Sequence, residues 1–218
     1  MRDPRRTTPD APDLPSELGS HSAAALADAE RLEGVALARL DLAGAHARAV
    51  TFEAATLDGV DLSGARLDQL SLVDVRVTGG SLANVTARGA RGVRLELAGT
   101  RLTGLTLTDA DLRDVVLRDC RADLVSFARS RLEHVWFEDC ILTEVDFAEA
   151  ELRMVRFSGC DLTRADFRGA RLTDCAMRHV RLEGAEGVDR LRGTALPWPD
   201  IVENAGVWAS ALGLRIVE

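Results

Sequence analysis

Hydrophobic residues recur along this chain with a period of five. Taking every fifth position from Leu32 gives Leu37, Leu42, Ala47, Phe52, Leu57 and Leu62, and the series runs in unbroken phase to Leu182 and Gly187. None of its 32 positions is charged. Since 28% of the chain is charged, about nine charges would fall there by chance. Unpaired charge is hardly ever buried, so this series points inward. A second uncharged series lies two residues earlier, at Val35, Leu40, Ala45 and Val50 and onward to Ala185, and it is mostly small. All six Phe occupy the first series and all four Cys the second. A period of five fits neither the 3.6 of an α-helix nor the 2.0 of a flat strand, so the backbone must follow another path.

The segments DLSGA, TLDGV, DLRDV, DFAEA, DLTRA and DFRGA follow the pattern A(D/N)LXX. Through them the chain resembles the pentapeptide repeat family over about three quarters of its length. The resemblance implies an all-β solenoid, a right-handed quadrilateral β-helix with four pentapeptides to a square coil. The repeats then make about eight coils, which at a strand spacing of ~4.8 Å give a rod on the order of 40 Å long. A coil cannot bury its own two faces, so neighbours supply the core and the ends need caps.

Residues twenty apart should stack. Phe127, Phe147 and Phe167 fall in one inward column, and Phe137, Phe157 and Met177 in another. Cys120, Cys140 and Cys160 stack as well, within disulfide reach of one another, yet three equal rungs read as small space-fillers before they read as redox or metal chemistry. On the outside, Arg91, Asp111, Arg131, Glu151 and Arg171 alternate in sign, as do Arg113, Glu133 and Arg153, which predicts ion pairs between coils. From Gly79 to Gly92 small residues crowd the repeats, so a narrow or soft waist is expected there, partly refilled by Leu95 and Leu105.

The chain divides into residues 1–20, read as a disordered tail; 21–31, a capping helix built on SAAALADAER with Ser20 or Ser22 as N-cap; the β-helix over 32–190; and a helical cap over 191–218. In the last segment a helix from about Pro199 to Leu212 is predicted, with Trp198, Ile201, Val202, Trp208 and Leu212 as its apolar residues. They either cover the last coil or join two chains into a homodimer.

Charge and composition then narrow the function. The net charge is −8 with no lysine, which argues against binding nucleic acid. No apolar run is long enough for a membrane span, so a soluble, cytoplasmic protein is expected. His21, His46, His134 and His179 are scattered over the tail and different outer faces, and no catalytic or metal-binding motif occurs. No enzyme activity, cofactor or metal is expected. The leading reading is a protein-interaction or scaffold module of unknown partner, with a candidate surface at Trp136, Glu138, Asp139, Ile141, Glu144, Asp146, Glu149 and Glu151. The alternative, implied by the resemblance, is a DNA mimic that binds DNA gyrase or topoisomerase IV and protects them from quinolones. Duplex DNA carries one charge per ~1.7 Å. Residues 31–190 hold 22 arginines against 26 acids, so only the acidic belt between Arg131 and Arg153 could imitate it.

Overall fold

The computed structural model describes residues 8–20 and 25–214. It is a parallel β-solenoid of about eight coils, followed by two short helices. Successive coils pair in register twenty residues apart, as in the run Thr51, Ser71, Arg91, Asp111 and Arg131. We number the faces by their inward central residues: the first holds Phe52 and Leu132, the second Leu57 and Phe137, the third Leu62 and Leu142, the fourth Leu67 and Phe147. Continuous strands such as Thr51–Asp58 and Arg131–Glu138 wrap the first two faces. The third and fourth are held by single parallel bridges such as Asp61↔Ser81 and Ser126↔Asp146.

Each corner needs a left-handed residue, and the position two after the central one supplies it. Every fifth residue from Ala29 to Gly184 has positive φ, including Arg94, Leu124, His134 and Met154. Such a conformation is unfavourable for a side-chain-bearing residue, so hydrogen bonds between coils must enforce it. Gly79 and Gly89 belong to this corner set and do not weaken the core. Gly80 is required for another reason, since a Cβ there would lie 2.3 Å from the Val60 carbonyl oxygen.

The interior is filled unequally. In the lower coils Phe127, Phe147 and Phe167 stack at centroid separations of 5.3 and 5.4 Å, and Phe137 and Phe157 at 5.0 Å. The two columns meet edge to face at about 6 Å, the geometry favoured by aromatic quadrupoles. At Gly92 the inward position holds no side chain, and an apolar cavity of about 80 Å³ remains among Leu72, Leu82, Leu95, Leu105, Leu107 and Leu112. The expected refilling by Leu95 and Leu105 is therefore incomplete.

Two expectations for the N-terminus need correction. Residues 25–30 are not helical, Arg31–Glu33 is a strand, and residues 21–24 lie outside the described residues. The Ala29 amide donates to the Arg48 carbonyl and the Thr51 amide to that of Glu30, so the coil path begins one repeat earlier than read. Ala25, Ala27 and Ala29 stay exposed, and pairing with the next coil overrides the helical propensity of the alanines. Leu26 is buried and closes the core. The tail expected to be disordered is instead docked over residues 8–20: Pro9 and Pro12 are buried, and Gly19–Ser20 pairs with Val35–Ala36. Residues 1–7 lie outside the described residues.

At the other end the predicted single helix is two, α1 (Trp198–Glu203) and α2 (Ala205–Ala211), broken at Asn204. Asp200 and Asn204 explain the break. The Asp200 carboxylate accepts the Val180 amide at 3.0 Å, and the Asn204 side chain accepts the Leu182 amide at 2.8 Å while donating to the Val180 carbonyl at 3.0 Å. Two side chains thus do for the last edge what a further coil would, and leave those buried backbone groups satisfied.

Candidate interaction surface

The alternating columns do form ion-pair ladders. Glu133 bridges Arg113 at 3.0 Å and Arg153 at 2.6 Å, and Glu151 bridges Arg131 at 3.2 Å and Arg171 at 3.3 Å. Glu138 pairs with Arg118, and Glu144 with Arg164, one coil away in each case. Asp146 accepts the Ser126 hydroxyl and the Ala148 amide, both at 2.8 Å. Of the acidic belt, Glu133, Glu138, Glu144 and Glu151 are ion-paired, and Asp139, Asp146 and Glu149 have no ion pair among the described residues. The belt is acidic along the chain but partly neutralised across it, because stacking at twenty brings arginines from the coils above and below. That pairing was foreseen from sequence for Glu133 and Glu151, and missed for Glu138 and Glu144.

Trp136 also differs from its reading as an exposed anchor. It is half-buried, with the Arg156 guanidinium 4.7 Å from its ring centroid, because Arg156 lies one rung below it. Its indole nitrogen is buried without a hydrogen-bond partner among the described residues. Ile141, by contrast, is 44% exposed on the third face, between Arg121 and Asp161. Leu124, at the corner of that face one coil above, is 54% exposed. Leu124 was not singled out from sequence, although its position two after the inward Ala122 marks it as a corner residue pointing away from the core. The face therefore presents two apolar side chains among paired charges, on the coils whose interior is packed with phenylalanine.

Sequence profiles support the architecture independently. One described as pentapeptide repeat region matches residues 93–167 and 125–186, and one described as pentapeptide repeats (8 copies) matches residues 31–69, together more than half of the chain. The chain belongs to the pentapeptide repeat family. Among solved structures, this pentapeptide repeat protein is similar to HetL, a protein involved in heterocyst differentiation regulation from the cyanobacterium Nostoc, at 20% identity over 78% of this chain and 91% of that one, with a TM-score of 0.42. It is similar also to full-length QnrB1, a plasmid-mediated fluoroquinolone resistance protein, at 14% identity over 90% of this chain and 100% of that one, TM-score 0.30. Rfr23 from the cyanobacterium Cyanothece 51142 is 15% identical over 72% of this chain and 90% of that one, TM-score 0.21. Among curated proteins none matches at a significant level.

Within this pentapeptide repeat rod the four cysteines are free and buried. Cys120 donates to the Leu97 and Arg118 carbonyls, and Cys140 and Cys160 repeat the pattern one and two coils below. Ser130 does the same with Leu107 and Ala128, so the site takes any small donor. The Cys120 thiol is held above the usual thiol range by its hydrogen bond to Cys140 and by burial, and burial pushes Cys175 up to about 11. Cys120 and Cys175, so protonated, are poor nucleophiles and metal ligands, whereas the hydrogen bond with Cys140 holds the Cys160 thiol below its ordinary value against the opposing effect of burial. Among the described residues no cluster of His, Cys, Asp and Glu could hold a metal ion, and no helix is long and apolar enough to cross a membrane.

At the C-terminal end the predicted apolar residues separate. Trp208 packs with Val207 and Leu196 against the core, and Ile201 is half-buried. Trp198 and Leu212 are each 76% exposed, and Val202 also faces outward.

Proposed function

We propose that this protein is a noncatalytic interaction module that offers the third face of its lower coils to a protein partner. The observation that carries this reading is the exposure of Ile141 and Leu124 on coils that are laced by ion-pair ladders and packed with phenylalanine. Apolar anchors ringed by polar groups on a preorganised surface are what stable interfaces favour. The experiment is affinity capture from the native lysate with the wild-type chain and with Ile141→Asp and Leu124→Asp. A partner lost with either variant, at unchanged melting temperature, supports the reading; partners retained by both variants contradict it.

The DNA-mimic alternative has less support, since most acids of the belt are paired with arginines. DNA gyrase supercoiling measured with increasing protein, with and without a quinolone, decides between the two. No effect fits an interaction module with another partner, and inhibition or drug protection would favour the topoisomerase reading. Trp198, Val202 and Leu212 support, in the same spirit, a homodimer joined end to end. Sedimentation of wild type beside Leu212→Asp tests it: a monomeric wild type sinks the dimer, whereas a dimer that dissociates in the variant supports it.

A further inference from the structure

A different part of the surface is covered by the N-terminal segment. Residues 9–15 read Pro-Asp-Ala-Pro-Asp-Leu-Pro, with a proline every third residue. Proline fixes its own φ and drives the residue before it into extended conformations, so this run favours a polyproline II helix, three residues per turn with ~3.1 Å rise. The run lies against the corner between the first and second faces, where Asp74, Arg94, Asp114 and His134 form a column one coil apart. The Asp13 amide donates to Asp74 at 2.8 Å, and the Asp10 amide to Asp114 at a longer 3.4 Å.

The two spacings agree. Three residues of polyproline II advance about 9.3 Å. Asp74 and Asp114 are two coils apart, about 9.6 Å at the strand spacing. Each turn of the strap thus meets equivalent acceptors, with a buried proline before each donated amide. Arg94, on the coil between, donates to Asp74 at 2.6 Å through Nε. Its guanidinium is further held in the charged form by Asp74 and by the strap's own Asp13 and Asp10. Asp114 is fixed in turn by His134 Nδ1 at 2.6 Å. Apart from its two buried prolines, most of the strap is exposed, and contacts so few are expected to open locally.

We infer that this corner is a recognition site for acidic peptides with proline at three-residue spacing, filled in cis by residues 8–15 and open to a peptide of the same pattern from another protein. The spacing of the coils selects the proline period. Arg94 selects the carboxylate after each proline. This goes beyond the interaction reading above, which concerns another face, and each can fail alone.

The test uses the full chain carrying Pro9→Ala and Pro12→Ala, with a fluorescent peptide of residues 8–18 as probe and amide exchange reporting on Asp10 and Asp13. The expected result is fast exchange at both amides in the variant and saturable binding of the peptide. Binding to the wild-type chain should be at least roughly tenfold weaker, because the strap competes. A peptide with a glycine inserted between Ala11 and Pro12 should also lose roughly tenfold. Equal binding of that frame-shifted peptide, or no binding up to about 1 mM, overturns the proposal. Protection that survives both substitutions overturns it as well, by showing that the prolines do not hold the strap. A wild-type chain that dimerises by exchanging straps would make a second copy the occupant and reject the foreign peptide.

Discussion

The coils around Gly92 and the coils around Phe147 are built on one repeat, with the same corners and the same pairing of strands, yet they are not equally solid. Around Phe147 five rings interlock in two columns, and Phe137, Phe147 and Phe167 are fully inaccessible. Around Gly92 the same inward positions carry Leu, Val, Ala and nothing, and the leucines do not close the gap. Backbone periodicity therefore sets the path of the chain, while the volume of one residue in five sets how firmly each coil is held. The exposed pair Leu124 and Ile141 sits on the firm coils, and the N-terminal strap is anchored at Asp74, on the soft ones.

The largest expected effect is in the firm half. Phe147→Ala removes the ring between Phe127 and Phe167 and should cost ~3–5 kcal/mol in denaturant unfolding; a loss below about 1 kcal/mol would mean that the stack contributes little. Next come two additions of opposite sign. Ala165→Val forces a larger side chain into a fully packed site and should cost ~1–3 kcal/mol. Gly92→Ala places a Cβ 2.7 Å from Leu95 Cδ1 and 2.8 Å from Leu112 Cδ2. Both are ends of side chains that border the cavity and can give way, so it should stabilise by ~0.5–1 kcal/mol. Equal signs in paired melting curves would erase the difference between the halves.

The smallest effect is a pH dependence of the soft half. The hydrogen bond from Arg94 holds the Asp74 carboxyl below its ordinary value, against the opposing effect of burial. A depressed folded-state pKa contributes stability that is fully present above the unfolded value of about 3.9 and is lost as pH falls through the folded value. Melting temperature should therefore fall below about pH 4, and Asp74→Asn should flatten that part of the fall. An unchanged acid profile in Asp74→Asn would show that the pair adds nothing.

Much of the architecture was legible because a period of five is visible in hydrophobicity alone. Stacking at twenty follows from it, and with it the phenylalanine columns, the cysteine ladder and the ion-pair columns. What escaped were features that need a second segment in place. Residues 25–30 have the composition of a helix and join the coil path because Arg48 and Thr51 pair with Ala29 and Glu30. The proline-rich tail looks disordered until the spacing of the coils supplies its partners. Asp200 and Asn204 are ordinary helix residues until the last edge presents unpaired amides to them. On the candidate surface, the exposure of Ile141 was readable from its outward position, whereas the cover of Trp136 by Arg156 and the pairing of Glu138 and Glu144 were not, because the arginines come from other coils.

Amide hydrogen exchange, resolved along the whole chain, tests most directly the claim that one repeat gives a firm half and a soft one. The account predicts the slowest exchange in the strands and bridges from Arg131 to Phe167, with the coils from Ser71 to Ala98 opening well before them at lower free energy. Uniform protection from end to end would contradict it.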